Sequence, residues 1–286
     1  MCEQDQFEKD RQEFEKRGQV TRRQFGILLS AGMAMMLPAV VNAAEVTESE
    51  VTITTPDGVA DCYFVHPAKG TAPAVIIWPD IFGLRPAFKK MAKRLAESGY
   101  SVLVVNPFYR SKKAADMVGG TTVPIAELRP LASALNETTA ATDAKALIEW
   151  LDKQPSVSKK HRIGTQGYCM GGSIAFRTAA AVPERVGAVA SFHGGGLVND
   201  KPTSPHLIAL TTKAHYLVAI AENDDKRTPT HKTILKETFE KAGMHSEVEV
   251  YEGAAHGWCP PDSAVYNEPL AEKAWARLLE LYKKAL

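Results

Sequence analysis

Cysteine is scarce in this 286-residue chain, which has only Cys2, Cys62, Cys169 and Cys259. Four thiols spread that thinly exclude a disulfide framework, and with no C-x-x-C spacing no zinc site is read. Surplus charge is missing too. Lys and Arg number 34 against 33 Asp and Glu, a formal net charge of +1. No electrostatic field therefore favours nucleic acid as a partner. The apolar run from Gly26 to Val41 is too short, and too rich in Gly, Ala and Met, to read as a membrane span. Internal repeats and long low-complexity stretches are also absent.

The first 43 residues carry an address. Met1 to Val20 is polar and highly charged, Thr21-Arg22-Arg23-Gln24-Phe25 follows, and small residues at Val41-Asn42-Ala43 follow the apolar run. This pattern resembles a twin-arginine export signal, the alternative being an uncleaved amphipathic helix. Residues 1–43 are read as a leader and 44–286 as one α/β domain of about 240 residues. The expected partner is the twin-arginine export machinery, and the expected location is the periplasm or the exterior, with no stable membrane insertion after processing. That route carries folded proteins, so a free thiol is set in place before it meets an oxidising compartment. Replacing Arg22 and Arg23 by Lys is expected to block export in a cell-fractionation assay. Normal secretion of that variant would remove the reading.

Along the remaining chain, strands alternate with helices. Val51–Thr54 and Ala60–Val65 flank Pro56-Asp57-Gly58, a hairpin signal. Strands follow at Ala74–Trp78, Ser101–Val105, Arg162–Gln166, Val186–Phe192, Ala214–Ala221 and Ser246–Tyr251. Helical spacing marks Phe88–Ser98, Glu137–Lys153, Gly172–Ala181, Thr230–Ala242 and Asn267–Leu286. The later strands are continuous apolar runs, the pattern of a mostly parallel sheet covered by helices on both faces. Lys112–Leu135 is the least regular stretch, and reads as a mobile cap or as a surface loop with a short helix. A Cys62–Cys259 bridge stays open.

The most informative string is Gly167-Tyr168-Cys169-Met170-Gly171. It has the G-x-nucleophile-x-G form of a nucleophile elbow, with cysteine in the place usual for serine. A cysteine on a tight strand-to-helix turn lies at the positive end of the helix, where a negative sulfur is favoured. The glycines are read as permitting a strained backbone and close packing of helix on strand. Two further strand ends carry complementary groups: Ala221-Glu222-Asn223-Asp224-Asp225 and Gly253-Ala254-Ala255-His256-Gly257. Open α/β sheets bind ligands outside the carboxyl ends of their strands. Nucleophile, acid, histidine is the chain order of α/β-hydrolases.

Cys169 is therefore the candidate nucleophile, His256 its proton-transfer partner, and Asp224 the group that orients the imidazole. Distance from the strand end favours Asp224; an Asp-x-x-x-Pro spacing to Pro229 favours Asp225 instead. An oxyanion hole needs backbone N–H groups, and Met170 and Ile81 are the candidates, because Pro79 has none to give. Asp80, in the same loop, lies where it would influence the thiol, or else serves as a turn or cap.

These residues resemble the dienelactone hydrolase family. The elbow, extended to Gly172, is very similar to the family's G-Y-C-x-G-G signature, and Asp80-Ile81-Phe82-Gly83 looks like its E-I-F-G segment. The resemblance spans about residues 50–284 and implies an α/β-hydrolase fold. It further implies a thiol-based hydrolase of small-molecule lactones or esters, without metal or cofactor, acting through Cys169, Asp224 and His256. Asp80 stands where the family has Glu. No Arg lies in His256-Gly257-Trp258-Cys259-Pro260-Pro261, where type members carry one that grips a substrate carboxylate, and Arg110 corresponds loosely to a second such Arg. Trp258 and Tyr109 instead suggest an aromatic-walled, more apolar pocket, or plain packing at the sheet edge. The rival readings are a non-catalytic small-molecule binding protein on a hydrolase scaffold, and a redox protein with Cys169 as a peroxidatic thiol.

Overall fold

Successive side chains of the strand Ala74–Trp78 are all buried, yet they enter two different cores: Ala74, Ile76 and Trp78 one, Val75 and Ile77 the other. Ser101–Val105 alternates in the same way, with Leu103 and Val105 on the first side and Val102 and Val104 on the second. A strand apolar on both faces needs cover on both faces. The computed structural model supplies it, describing residues 36–286.

In chain order the elements are β1 (Val46–Thr55), β2 (Gly58–Pro67), β3 (Ala74–Trp78), α1 (Pro86–Glu97), β4 (Ser101–Val105), α2 (Ile125–Ser133) and α3 (Glu137–Asp152). Then come β5 (Ile163–Tyr168), α4 (Met170–Ala181), β6 (Val186–Phe192), α5 (Pro205–Ile208), β7 (His215–Ala221), α6 (Glu222–Arg227), α7 (His231–Lys241), β8 (Ser246–Tyr251) and α8 (Glu268–Ala285). One eight-stranded sheet runs in the order β1-β2-β4-β3-β5-β6-β7-β8. The β1–β2 and β2–β4 pairs are antiparallel, and every later pair is parallel. This is the expected mostly parallel α/β architecture. The twin-arginine motif and Cys2 lie outside the described residues.

Helices α3, α4 and α7 supply Leu147, Ile148, Phe176 and Phe239 to one core, while α1 and α8 supply Phe88, Leu95, Leu278 and Tyr282 to the other. Cys62 belongs to the first and Cys259 to the second, and both are free. A bridge between them would have to pass through the sheet, so that option closes.

Local chemistry sets the boundaries. Asn136 caps α3 by accepting from the amides of Thr138 and Thr139 at 2.9 and 3.1 Å, and Thr139 Oγ1 accepts the Asn136 N–H at 2.8 Å. That reciprocal box fixes where the helix begins. The hairpin pairs Thr55 with Gly58, so Pro56 and Asp57 are the turn residues, and Gly58 (φ +141°) opens β2. Lys112–Leu135 contains α2 and is tied to the strand ends. The Ala114 N–H donates to Asp61 Oδ2 at 2.6 Å, and Asn106 Nδ2 donates to the Lys112 carbonyl at 2.8 Å. Among the described residues no helix is long and apolar enough to cross a membrane.

Candidate active site

The turn from β5 into α4 places Cys169 at φ +54°, ψ −118°, a backbone region that side chains with a Cβ rarely adopt. The strain sits on the cysteine itself. Gly167, Gly171 and Gly172 do not have positive φ; they are glycine for lack of space. A Cβ at Gly167 would lie 1.9 Å from the Gly171 carbonyl oxygen, and one at Gly171 would lie 2.3 Å from that of Trp78. One at Gly172 would meet Ser191 Oγ at 2.3 Å. Of the two roles expected for the glycines, close packing is the one seen at these positions. The Cys169 N–H donates to the Phe192 carbonyl and to His193 Nδ1, each at 3.1 Å, which ties the strained turn to the end of β6.

His256 lies in the turn after β8, between Gly253 (φ +79°) and Gly257 (φ +99°). Its Nδ1 is 2.7 Å from Asp224 Oδ2, and its backbone N–H donates to Asn223 Oδ1 at 2.9 Å. Both partners come from α6, a six-residue helix too short to show periodicity in sequence. The Gly253 amide donates to Glu222 Oε2 at 2.6 Å, and the Glu222 amide donates to the Ala254 carbonyl at 2.9 Å. The acid and the histidine are thus sewn into one unit. Asp225 instead turns to Lys232 Nζ at 2.6 Å.

With Nδ1 committed to Asp224, the Cys169 side chain is the next influence on the imidazole. Burial alone pushes the His256 pKa down, but the Asp224 carboxylate and the Cys169 sulfur more than reverse this and hold it well above the ordinary value.

His193 was missed by sequence reasoning, although it follows the end of β6 at the same sheet edge. It is 1% exposed, at φ +42°, with its ring 4.9 Å from that of His256 and 5.2 Å from that of Trp258. Burial, then the neighbouring His256, holds its pKa well below the usual value, so the ring is neutral. Because Nδ1 accepts from Cys169, the proton resides on Nε2.

The remaining sequence candidates are placed as follows. Asp80 is engaged by a neighbouring cation. Arg85 Nη1 and Nη2 grip it at 2.7 and 3.0 Å, and the same guanidinium binds Asp262 at 2.6 and 2.9 Å. Asp80 thereby fixes its loop, accepting the Phe82 amide on its side chain and the Gly83 amide on its carbonyl, both at 2.9 Å. The Ile81 amide is left without a partner among the described residues, as is that of Met170. The contact of Gly171 with Trp78 and Pro79 brings the two segments together. Arg110 does not reach into open space, because Asp57 at 2.6 Å and Asp143 at 2.7 Å hold it across the hairpin turn. Trp258 is fully buried against Tyr251 and His193. Tyr109 is buried with its hydroxyl 2.7 Å from both Thr55 Oγ1 and Asp143 Oδ1. Both rings pack at the sheet edge, the second of the two roles expected for them. Among the described residues no three His, Cys, Asp or Glu side chains are grouped to hold a metal.

The chain is similar to known proteins. A provisionally named carboxymethylenebutenolidase of Synechocystis sp. is 29% identical over 228 residues, 78% of this chain and 91% of that protein. The carboxymethylenebutenolidase of Rhodococcus opacus is 27% identical over 226 residues, 76% and 83% of the two chains. In fold, a provisionally named dienelactone hydrolase from Klebsiella pneumoniae superposes with a TM-score of 0.73 at 22% identity, covering 84% of this chain and 99% of that one. The model of the dienelactone hydrolase family matches residues 60–286, and the chain belongs to that family.

Proposed function

We propose that this α/β-hydrolase cleaves small-molecule esters or lactones through a Cys169–His256–Asp224 triad. The observation carrying the reading is the 2.7 Å contact of the imidazole with the Asp224 carboxylate, together with the Cys169 side chain being among the influences that raise the pKa of that ring. The Cys169 thiolate attacks the carbonyl carbon, and the amides of Ile81 and Met170 receive the developing oxyanion. Collapse expels the alkoxide, which takes the proton from His256. Acylation also removes the sulfur's negative charge, one of the influences holding the imidazole protonated. The neutral ring then accepts a proton from water, hydroxide attacks the thioester, and the C–S bond breaks to return thiolate and imidazolium. The sum is ester plus water giving acid plus alcohol.

A peroxidatic role would need a resolving thiol. Cys62 and Cys259 are both buried, and burial pushes both thiols up. The test is turnover of p-nitrophenyl acetate during titration with iodoacetamide. Activity is expected to fall in step with a single carboxamidomethyl group, mapped to Cys169 by peptide mass spectrometry. Turnover that survives complete alkylation of Cys169 would overturn the assignment.

A further inference from the structure

One buried cation joins the loop before α1 to the loop that carries His256. Arg85 is 5% exposed and stands at the N-cap of α1, where its side chain makes no cap bond. The helix does not ask for it there. Pro86 already favours a helix start, and a cation is the wrong charge for the positive end of a helix.

Its partners account for it instead. Nη1 and Nη2 donate to Asp80 Oδ1 and Oδ2, while Nε and Nη2 donate to Asp262 Oδ2 and Oδ1. The Gly83 carbonyl stands 3.4 Å from Nη1, so every N–H of the guanidinium has an acceptor. The Phe82 and Phe88 rings lie 5.6 and 4.8 Å from its central carbon. The backbone at Gly120 closes over its stem, where a Cβ would lie 3.9 Å from Arg85 Cδ.

Each arm of this clamp ends on a part of the proposed catalytic apparatus. On one side, Asp80 accepts the Phe82 amide on its side chain and the Gly83 amide on its carbonyl. That turn leaves the Ile81 amide without a partner among the described residues. On the other side, Asp262 follows Pro260 and Pro261, whose rings stiffen the chain between it and His256. The Trp258 N–H donates to the Ala255 carbonyl at 3.1 Å, and the Ser263 N–H to the Pro260 carbonyl at 3.0 Å, so that chain is folded on itself.

Resting on the proposed acyl transfer at Cys169, we infer that Arg85 is a positioning residue for the oxyanion: by bridging Asp80 and Asp262 it holds the Ile81 amide at a fixed place relative to the His256 loop. It touches no reacting atom and acts through the turn that presents the amide. Lysine could not replace it, because an ammonium has no planar fork to share between two carboxylates.

The test sets two reactions of one sulfur against each other. Acyl transfer from p-nitrophenyl acetate develops an oxyanion. Alkylation by iodoacetamide develops none, because the thiolate displaces iodide at a saturated carbon. Asp262→Asn and Arg85→Lys are each expected to lower kcat/KM for the ester about tenfold or more, the scale for a displaced oxyanion donor. The alkylation rate of Cys169, read by peptide mass spectrometry, should stay near that of the wild type. A purely structural clamp would lower the thermal midpoint and leave the ratio of the two rates unchanged. An unchanged ratio in either folded variant therefore overturns the inference, and Asp262→Asn, at a partly exposed carboxylate, decides if Arg85→Lys does not fold. Butanal separates this inference from the hydrolytic reading. Its carbonyl carbon bonds reversibly to the sulfur and its oxygen enters the oxyanion position before taking a proton, so it shields Cys169 from iodoacetamide without turnover. If the wild type hydrolyses no ester, the hydrolytic reading fails. Weaker shielding in Asp262→Asn than in the wild type then still upholds the clamp, and equal shielding refutes it.

Discussion

Cys169→Ala is expected to lower kcat/KM on any hydrolysed ester by about 10⁴-fold or more, the scale seen when a nucleophile acting in a unit is removed. The fold should persist. Alanine suffers the same positive-φ strain that cysteine already bears, and the hydrogen bonds holding the turn come from the Cys169 backbone, not its sulfur. The thermal midpoint should therefore stay close to the wild type, so that lost activity cannot be ascribed to unfolding. Cys169→Ser is the sharper variant. A hydroxyl is a far poorer acid than a thiol, so serine cannot rest as an anion beside His256. It thereby also removes one of the charges that hold the imidazole protonated. Serine should retain little activity, with a pH profile shifted from that of the thiol enzyme. Full turnover by the serine protein would defeat the thiolate mechanism, and full turnover by the alanine protein would defeat the assignment of Cys169.

The parts of this molecule legible in the sequence are those governed by short-range rules. Apolar runs marked β3, β4, β6 and β7, because a sheet covered on both faces leaves little room for polar alternation. The elbow was legible because its crowded turn tolerates only glycine at three positions. Side-chain destinations were a different matter. Arg110, Trp258 and Asp80 were read by their chemistry, but each has a side-chain partner that only the folded chain reveals: Asp57 and Asp143, then His193 and Tyr251, then Arg85. His193 escaped notice because its importance depends on the pairing of β5 with β6, which places it against Cys169. Arg177, on α4, was not among the residues singled out from the sequence. Only the approach of α3 and of the loop after β6 makes it part of a cleft wall.

Asp224→Asn tests the other half of the site and carries a sign. Burial drives the His256 pKa down, and the Asp224 carboxylate is the foremost of the influences that raise it. Asparagine preserves the shape but not the charge, so the burial penalty loses its main opponent. The imidazolium needed to protonate the leaving alkoxide would then be lost at a lower pH than in the wild type. The alkaline limb of kcat/KM against pH should move toward acid, and the rate at neutral pH should fall by about 10²- to 10⁴-fold, the range for lost proton-transfer orientation. Asp225→Asn is the control, since that carboxylate pairs with Lys232 and leaves His256 alone. Its pH profile should coincide with that of the unmodified protein. If the limb stays in place in Asp224→Asn, or moves equally in Asp225→Asn, then the 2.7 Å contact between His256 and Asp224 is structural, and the source of the imidazole's charge lies elsewhere.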